Sequence, residues 1–472
     1  MSAIKSILKD TSSFRIAYLI NLFMCTIAFV QIPAYVCLVF VFLWGVYLTY
    51  RQIRHNHCFD TMRFSFWLIA FIAIHFVTTL INFSDTLFLN LIMLLHIGIC
   101  FFIFYGLHTE KQTNPKAELY KICKFVIYST TILGALGYIF MMCGVKFEWY
   151  WIKFIIYENR FTGVFINPNI LGFLSIVSIV CCHIITREDF LVQANKPRIS
   201  RIWLAACLLV DLFSLMLCDS NASMVFFICY VVAILVFDFF SMTVRISKKQ
   251  FFLRLMALLF AVVFVVCISF MVRAICQRAF ASLVAQPTIG IPCEYPVVGD
   301  EVITFTHENA NLDSGRIKLI KESFKLFRLS PVFGISNGNI ILYSQKYLDG
   351  FLSLSYHNHD LHNGYLTILV STGVIGFCLF AIFGLRFAKH IVSPLFKRQN
   401  AQSQDILPCL FAFCCSYLIY SLFEKALLYD ISFMVMWFWY MTGQCSVYLN
   451  KYEPLSSTRY MMHHHRLPRH MI

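Results

Sequence analysis

The sequence predicts an all-α polytopic membrane protein with about twelve transmembrane helices and one long outward loop that carries an amphipathic helix. Three observations support this class. Of the 472 residues, 59% are hydrophobic and only 13% are charged, whereas soluble domains carry about 25% charged residues. The apolar residues recur in runs of helical length, and basic residues alternate between the connections. A chain this apolar cannot bury its surface in one globule surrounded by water, so a bilayer is expected.

Apolar runs of about 20 residues, the length of a helix that crosses the hydrocarbon core, occur twelve times. The predicted spans are residues 15–31, 33–50, 64–83, 87–107, 122–144, 168–186, 201–218, 222–240, 253–272, 364–386, 406–423 and 429–449. The first run follows Arg15 without a small-residue cleavage site, so we expect it to remain as a span. The runs show neither a short repeat nor the inverted halves that many transporters have.

The distribution of Lys and Arg predicts the orientation. Most of the 38 basic residues lie before the first span, in every second connection or in the C-terminal tail. Short loops rich in Lys and Arg stay in the cytoplasm, and long loops are translocated regardless of charge. Both termini are therefore predicted to be cytoplasmic. The chain then divides into nine spans over 1–272, an outward loop over 273–363, three spans over 364–449 and a cytoplasmic tail over 450–472.

The net charge of +14 follows from this topology, so no nucleic-acid partner is expected. The 19 Cys residues include no CxxC pair, and most lie in apolar runs, where a free Cys packs as a small hydrophobe. Cys276 and Cys293 lie in the long polar segment, where a disulfide and two unpaired thiols are both open. The tail MMHHHRLPRH is interpreted as a solvated basic end.

Three polar patterns lie where spans enter the membrane from the predicted outer side. In ENRFTGVFINPNILG, Asn167 and Pro168 form an N-cap and N1 pair that starts span six. CDSNAS opens span eight, and Asn363 in HNHDLHNGYLTILVSTGVIG caps span ten. Helix N-termini carry free N–H groups and partial positive charge, so three together would form an anion site. For each pattern alone, an ordinary helix cap is the simpler explanation.

The segment DSGRIKLIKESFKLFRLS in the long loop predicts an amphipathic helix capped by Asp313 or Ser314. Its apolar and basic faces are Ile317, Ile320, Phe324 and Phe327, and Lys318, Lys321, Lys325 and Arg328. A basic amphipathic helix beside a bilayer lies on its surface and attracts anionic head groups. Arg316 sits in the first turn, where a cation opposes the helix dipole, and Arg grips phosphate through paired hydrogen bonds. This placement marks Arg316 as a candidate functional residue.

His357, His359, Asp360 and His362 crowd the mouth of span ten. Metal ligands, a catalytic constellation and a polar helix cap all agree with this residue content. Histidine offers a base whose pKa is ordinarily near neutral pH, so a catalytic role is chemically accessible to it.

Asp211 lies near the middle of predicted span seven, and His75 and His96 lie within spans three and four. Such groups are costly in a membrane and are functional candidates by default. They do not form the relay across several spans that a proton-driven pump would need.

Together these patterns resemble the O-antigen ligase and O-antigen polymerase superfamily of bacterial inner-membrane glycosyltransferases. The three motifs that carry the resemblance are Arg160, Gly163 and Asn167-Pro168-Asn169; Gly315-Arg316, Pro331, Gly334 and Gly338-Asn339; and His362-Asn363, Gly373 and Gly376. The resemblance covers residues 158–390, with the motifs in the family's order. One departure is Ser220-Asn221, where relatives commonly carry a Ser-Arg pair at the entrance of span eight. More of the anion binding is therefore assigned to Arg160 and Arg316.

The resemblance implies a glycosyltransferase that needs neither metal nor nucleotide and has no cofactor. Members join glycans carried on polyprenyl pyrophosphate: the donor glycan leaves its pyrophosphate and is captured by an acceptor hydroxyl. Cations and helix N-termini must stabilise the departing pyrophosphate, and a base must take the hydroxyl proton. His362 is the expected base, and Arg316 and Arg160 are the expected pyrophosphate ligands.

Further substrate-binding candidates are Asn167, Asn169, Asn363, Lys318 and Lys321. In this scheme Asn363 orients the site while it caps span ten. His357, His359 and Asp360 support His362 or solvate the loop, and metal ligation by them is the less favoured alternative.

The function we expect is polymerisation of lipid-linked repeat units into O-antigen or capsule-like polysaccharide. The close alternative is an O-antigen ligase that moves the glycan to lipid A core or another acceptor. A lipid-linked oligosaccharide flippase is the alternative from another class, and it would be expected to show repeat symmetry. The implied partners are a polyprenyl-pyrophosphate-linked glycan donor, a glycan or lipid A core acceptor, membrane lipid and a chain-length regulator. The implied location is the bacterial inner membrane, with the active site facing the periplasm.

Overall fold

The computed structural model describes residues 2–55, 62–83, 86–109, 114–143, 147–149, 152–242, 247–284, 305, 316–348, 360–397 and 406–452. Helices make up most of them. In chain order they are α1 (Ser2–Lys9), α2 (Thr11–Met24), α3 (Gln31–His55), α4 (Ser65–Ile81), α5 (Leu87–Gly98), α6 (Pro115–Met142), α7 (Pro168–Ile185), α8 (Glu188–Ala194), α9 (Arg201–Leu217), α10 (Asn221–Met242), α11 (Lys248–Val284), α12 (Arg316–Leu329), α13 (Ile340–Tyr347), α14 (Gly364–Lys397), α15 (Leu407–Tyr420) and α16 (Phe433–Tyr452). Each predicted span overlaps one of these helices.

Seven helical segments of the described chain are long and apolar enough to cross a membrane. They are Gln31–Arg54, Leu87–Leu107, Pro115–Met142, Pro168–Ile185, Asn221–Phe240, Lys248–Leu283 and Gly364–Val392. The helices α4 and α15 are apolar but shorter. These segments agree with a helical, multi-pass membrane protein. Fewer than twelve reach full length because helices such as α2 and α15 end after 14 residues, before their apolar runs do.

A buried ion pair joins α2 to α6. Arg15 donates from Nε and Nη2 to the two carboxylate oxygens of Glu118, both at 2.8 Å. Its Nη1 donates to the carbonyl oxygen of Ile103 at 3.2 Å. Ile103 lies in the π-helical segment Ile99–Phe104 that continues α5, where the backbone hydrogen-bond register is shifted. Two buried charges are tolerated here because each has an opposite charge beside it and Arg15 makes a further hydrogen bond.

A three-stranded antiparallel sheet follows α6 and corrects the all-α prediction at this connection. Its strands are β1 (Phe147–Trp149), β2 (Ile152–Tyr157) and β3 (Arg160–Gly163). Glu158 and Asn159 form the turn between β2 and β3, with φ of 48° and 58°. Two-residue hairpin turns use positive φ at both central residues, and Asn accepts it readily. The strand β3 packs against α6 and α7, so the turn sets the position of Arg160.

The long helix α14 is broken at Gly373, where φ is 64°, and the segment 331–336 inserts against the break. The cross-contacts are Ile335 N to Val370 O at 2.9 Å, Ser336 N to Ser371 O at 3.1 Å and Val374 N to Pro331 O at 2.9 Å. Gly334 has a φ of 75°, and a Cβ there would overlap the backbone of residues 371–373. Irregular backbone inside a membrane protein is tolerated where protein buries and pairs it. These motif glycines therefore allow two backbone segments to touch.

The amphipathic segment of the long loop forms α12, and its predicted caps Asp313 and Ser314 lie outside the described residues. Leu319, Ser323 and Leu326 are buried, and α12 packs against α14. The predicted apolar face is turned outward: Ile317, Ile320 and Phe324 are exposed and Phe327 is half-buried. An exposed apolar face is what a helix resting on a bilayer requires.

Candidate functional site

Arg160 lies at the end of the bundle formed by β3, the start of α7 and the start of α14, called the site end below. The hairpin turn holds it, and its Nη2 donates to Glu158 Oε2 at 3.0 Å. Its Nη1 donates to Asn169 Oδ1 at 3.5 Å, near the distance limit for a hydrogen bond. The predicted residues Arg160 and Asn169 are therefore neighbours, with a carboxylate already beside the guanidinium.

Asn167 caps α7, as the sequence predicts. Its Oδ1 accepts a hydrogen bond from Asn169 N at 2.7 Å, and Pro168 occupies the first helical position. The side chain of Asn169 is left to point across the site, where Nδ2 donates to Glu424 Oε1 at 3.3 Å. The cap thus orients the residue that connects α7 to a distant loop.

His362 occupies a constrained position just before α14. Its backbone φ is 42°, a left-handed conformation that is uncommon for residues other than Gly, and its N–H donates to Asp360 Oδ1 at 2.6 Å. Its ring Nδ1 lies 3.4 Å from Glu424 Oε2 and 3.6 Å from Asp360 Oδ1. Backbone strain held by surrounding contacts is common at functional sites.

Asn363 is the N-cap of α14, as predicted. Its Oδ1 accepts hydrogen bonds from the backbone N–H groups of Tyr365 and Leu366, both at 3.0 Å. Its Nδ2 donates to the carbonyl oxygen of Leu422 at 2.9 Å. Because both ends of the amide are engaged, Asn363 ties His362 to the 421–432 connection.

Glu424, which the sequence reasoning did not identify, links the two predicted motifs. It contacts Asn169 through Oε1 and His362 through Oε2. Its only local signal in the sequence is its position beside Lys425, at the end of an apolar run. Along the chain Glu424 is 255 residues from Asn169 and 62 residues from His362. Only the tertiary structure therefore reveals that Glu424 connects the two motifs.

Buried side chains hold the connection 421–432, which carries Glu424. Tyr417 donates to the Ala426 carbonyl at 2.6 Å, and the Trp439 indole donates to the Leu427 carbonyl at 3.0 Å. Tyr429 lies 3.1 Å from Nδ1 of the buried His75. His75, which lies inside a predicted span, therefore supports the 421–432 connection. These buried contacts hold the connection that carries Glu424 in place.

The rest of the intramembrane candidates lie inside the protein. His96 is fully buried, with Nε2 3.6 Å from the Cys100 sulfur. Asp211 is fully buried on α9, beside the hydroxyl groups of Ser178 and Thr131. His96 also hydrogen-bonds to the backbone of Leu428 and Asp430, so it supports the 421–432 connection as His75 does.

Arg316 opens α12 and faces the same cluster from another side. Its guanidinium carbon lies 5.4 Å from the centre of the Phe423 ring, a cation–π contact one residue from Glu424. Lys318 and Lys321 are exposed on α12. Gly315, the partner of Arg316 in the predicted motif, lies outside the described residues, as do His357, His359 and Cys293.

A third arginine, Arg273, was predicted to lie in the long loop and is found on a helix. The predicted span ends at 272, but α11 continues to Val284 because residues 273–284 contain no Gly or Pro and several Ala. Arg273 donates to Asn221 Oδ1 at 3.0 Å and forms an ion pair with Asp219. Its charge is close enough to Arg160 for the two to repel. Relatives commonly carry an Arg at the position of Asn221. Here Arg273 on α11 places a cation beside Asn221 instead.

Three carboxyl groups lie near one another at the site end, namely those of Asp360, Glu424 and Asp430. Burial raises the pKa of Asp430, and nearby Asp360 and Glu424 raise that pKa further, whereas Lys425 and a hydrogen bond from Ser432 oppose the shift. Asp360 and Glu424 thus disfavour ionisation of Asp430.

The helices and this cluster define a multi-pass membrane protein with a polar site of arginine, histidine, asparagine and glutamate at one end of the bundle. Residues 204–381 match the family model described as O-antigen ligase. The match confirms the predicted resemblance to the O-antigen ligase and O-antigen polymerase superfamily. No curated protein matches the chain.

The matched range contains Arg273, Arg316 and His362, and it leaves out Arg160 and Glu424. The match supports glycosyl transfer of the ligase or polymerase type, with lipid-linked glycans as substrates in a membrane. It gives no support to a flippase.

Proposed function

We propose that the protein is a polysaccharide polymerase of the inner membrane that joins polyprenyl-pyrophosphate-linked repeat units. The observation that supports this best is the continuous set of contacts from Arg160 through Asn169 and Glu424 to His362. These contacts put a guanidinium group and an imidazole in one cluster. Transfer from a lipid pyrophosphate to a hydroxyl needs an anion-binding group and a base together.

His362 is the proposed general base. With Nδ1 turned toward Glu424, the tautomer that carries a proton on Nδ1 has an unprotonated Nε2, which can accept the proton of the acceptor hydroxyl. The acceptor oxygen forms a bond to the anomeric carbon as the bond from that carbon to the pyrophosphate oxygen breaks. The pyrophosphate leaves with the bonding electrons, and the proton stays on His362 until it is released.

Arg160 and Arg316 are the proposed ligands of the departing pyrophosphate. Each guanidinium already has a partner at the site end, Glu158 for Arg160 and the Phe423 ring for Arg316. When the pyrophosphate binds, its phosphate oxygens would replace part of these contacts to the two guanidinium groups. The N-terminus of α7, with Asn167 and Asn169, adds backbone N–H groups and a partial positive charge. Lys318 and Lys321, exposed on α12, would contact lipid head groups or the incoming substrate.

The orientation belongs to the same proposal. The site end faces the periplasm, both termini are cytoplasmic, and no metal, nucleotide or cofactor takes part. In this proposal the segment 273–363, which begins as the last turns of α11, lies on the periplasmic side, the spans lie within 1–272 and 364–449, and the tail 450–472 is in the cytoplasm. A chain-length regulator is the proposed protein partner.

The test supplies purified protein with a lipid-linked repeat unit, with and without lipid A core. Longer lipid-linked chains support the polymerase, whereas product on the core supports the ligase that the family description names. His362→Ala should lose transfer and remain in the membrane, while Lys346→Ala, which removes an exposed cation from α13, should keep it. Full activity of His362→Ala would overturn the assignment of the base.

A further inference from the structure

A cavity lies at the opposite end of the bundle from His362. The helix α7 starts at the site end and runs 18 residues to Ile185, a length of about 27 Å. The helix α9 starts at Arg201 and returns to the site end at Leu217. Between the far ends of these helices and α10 is a cavity of about 620 Å³. Its walls are apolar, among them Ile179, Leu204, Leu208, Phe227 and Ile234.

Basic side chains surround the entrance of this cavity. Arg198 and Arg201 are part of its lining. On the other side of the 195–200 connection are two further cavities, lined by Lys121, Lys124, Lys196 and Arg198. Among the described residues that line the three cavities none is acidic.

The connection between these cavities is held in a defined position. Tyr120 donates through its hydroxyl to the Pro197 carbonyl at 3.0 Å. Lys124 Nζ lies 5.4 Å from the centre of the Tyr128 ring, and Tyr128 meets Trp203 edge to face at 6.0 Å. Trp and Tyr are the residues that favour the boundary between lipid tails and head groups. The basic groups are therefore grouped at the depth of lipid phosphates.

We propose that this place binds one anionic phospholipid, with its phosphate among Lys121, Lys124, Lys196 and Arg198 and one acyl chain in the 620 Å³ cavity. Arg198 and Ile199 line both the basic and the apolar cavity, so a head group and its tail have a continuous path. Basic pockets between membrane helices bind anionic head groups. The cavity volume lies within the range of small-ligand sites. This site is independent of the chemistry proposed for His362.

The test measures lipid binding to the full-length protein in detergent by native mass spectrometry, with dioleoyl phosphatidylglycerol and dioleoyl phosphatidylcholine as probes. Each basic side chain beside an anionic lipid contributes about 1 kcal/mol, or about fivefold in affinity. Lys124→Gln/Arg198→Gln should therefore bind phosphatidylglycerol about 25-fold more weakly. The matched control Lys248→Gln/Lys249→Gln removes two exposed cations from the start of α11, at the same end, and should bind as the native protein does.

Three results would overturn the proposal. Equal binding by the double variant and its control would remove the role of Lys124 and Arg198, provided both variants melt as the native protein does in lipid-free detergent. Equal affinity for phosphatidylcholine would remove the charge recognition. Displacement of phosphatidylglycerol by millimolar inorganic phosphate would show a site for free phosphate and not for a lipid.

A separate variant tests the acyl chain. Ala205 lines the apolar cavity, so Ala205→Trp should obstruct it. Binding of dioleoyl phosphatidylglycerol should then fall about tenfold, while binding of the short dihexanoyl lipid stays unchanged. If both lipids bind Ala205→Trp as they bind the native protein, the chain does not lie in this cavity.

Discussion

Glu424→Gln removes one negative charge from the cluster and keeps the shape of the side chain. In the native protein Glu424 Oε2 lies 3.4 Å from His362 Nδ1, and Oε1 accepts from Asn169. In the proposed mechanism His362 takes a proton from the acceptor hydroxyl and becomes a cation beside this carboxylate. The carboxylate would then stabilise the charge that forms during the reaction, and the amide would not.

The geometry sets the size of the expected effect. Two unit charges 3.4 Å apart interact by about 5 kcal/mol at an effective dielectric constant of 20. The side chains of His362 and Glu424 are 28% and 15% exposed, so solvent screens the pair. The distance is also long for a hydrogen bond. About 1–2 kcal/mol should remain, which corresponds to a 5- to 30-fold fall in kcat.

Polymerisation of a lipid-linked repeat unit across a pH series is the assay. Loss of a general base lowers rates by about 10²–10⁴, so Glu424→Gln should be far more active than His362→Ala. The rise of activity with pH should shift to lower pH in Glu424→Gln, since an imidazolium without a neighbouring carboxylate loses its proton more easily. Native activity and an unshifted profile in Glu424→Gln, with His362→Ala inactive, would refute the positioning role.

Three further predictions concern the fold, each measured by thermal unfolding in detergent. Gly334→Ala should cost more than about 2 kcal/mol, because φ is 75° and the methyl group meets the backbone of α14; an unchanged melting temperature would contradict that close contact. Arg15→Met should cost about 3–5 kcal/mol by leaving Glu118 buried and unpaired, and Arg15→Met/Glu118→Leu should recover most of the loss, whereas equal losses would show that the charges are not coupled. Asp430→Asn should stabilise the protein at pH 8 and have little effect near pH 4: the folded protein holds the Asp430 proton more tightly than the unfolded chain, so the carboxyl destabilises the fold as pH rises above its unfolded pKa. A destabilised Asp430→Asn protein at pH 8 would reverse that reasoning.

Much of this protein is determined by local sequence. Apolar runs of helical length give the helices, since the bilayer requires every span to satisfy its own backbone hydrogen bonds. The caps Asn167 and Asn363 were also predictable, because a cap depends on residues within one turn of it. The placement of Arg316 at the start of α12 followed from the same local pattern.

Other features depend on contacts between distant segments, and local sequence patterns do not predict these features. The hairpin at Glu158 and Asn159 interrupts a chain whose composition otherwise predicts helices. Gly373 breaks α14 only because the segment 331–336 packs there and supplies the missing hydrogen bonds. Both depend on what the neighbouring backbone offers, which periodicity does not reveal.

The residues of the candidate site also fall into those that local sequence predicts and those that only the tertiary structure reveals. Residue type and motif order pointed to Arg160, Arg316 and His362, because the chemistry of anion and proton handling restricts the choice of side chain. Glu424 and Arg273 became visible only in the fold, where α11 and the 421–432 connection bring them to Asn221 and His362. Local sequence determined which segments form apolar helices and which polar groups begin them. Tertiary packing decided which of those groups meet, because electrostatic and hydrogen-bond contacts act over a few ångströms regardless of separation along the chain.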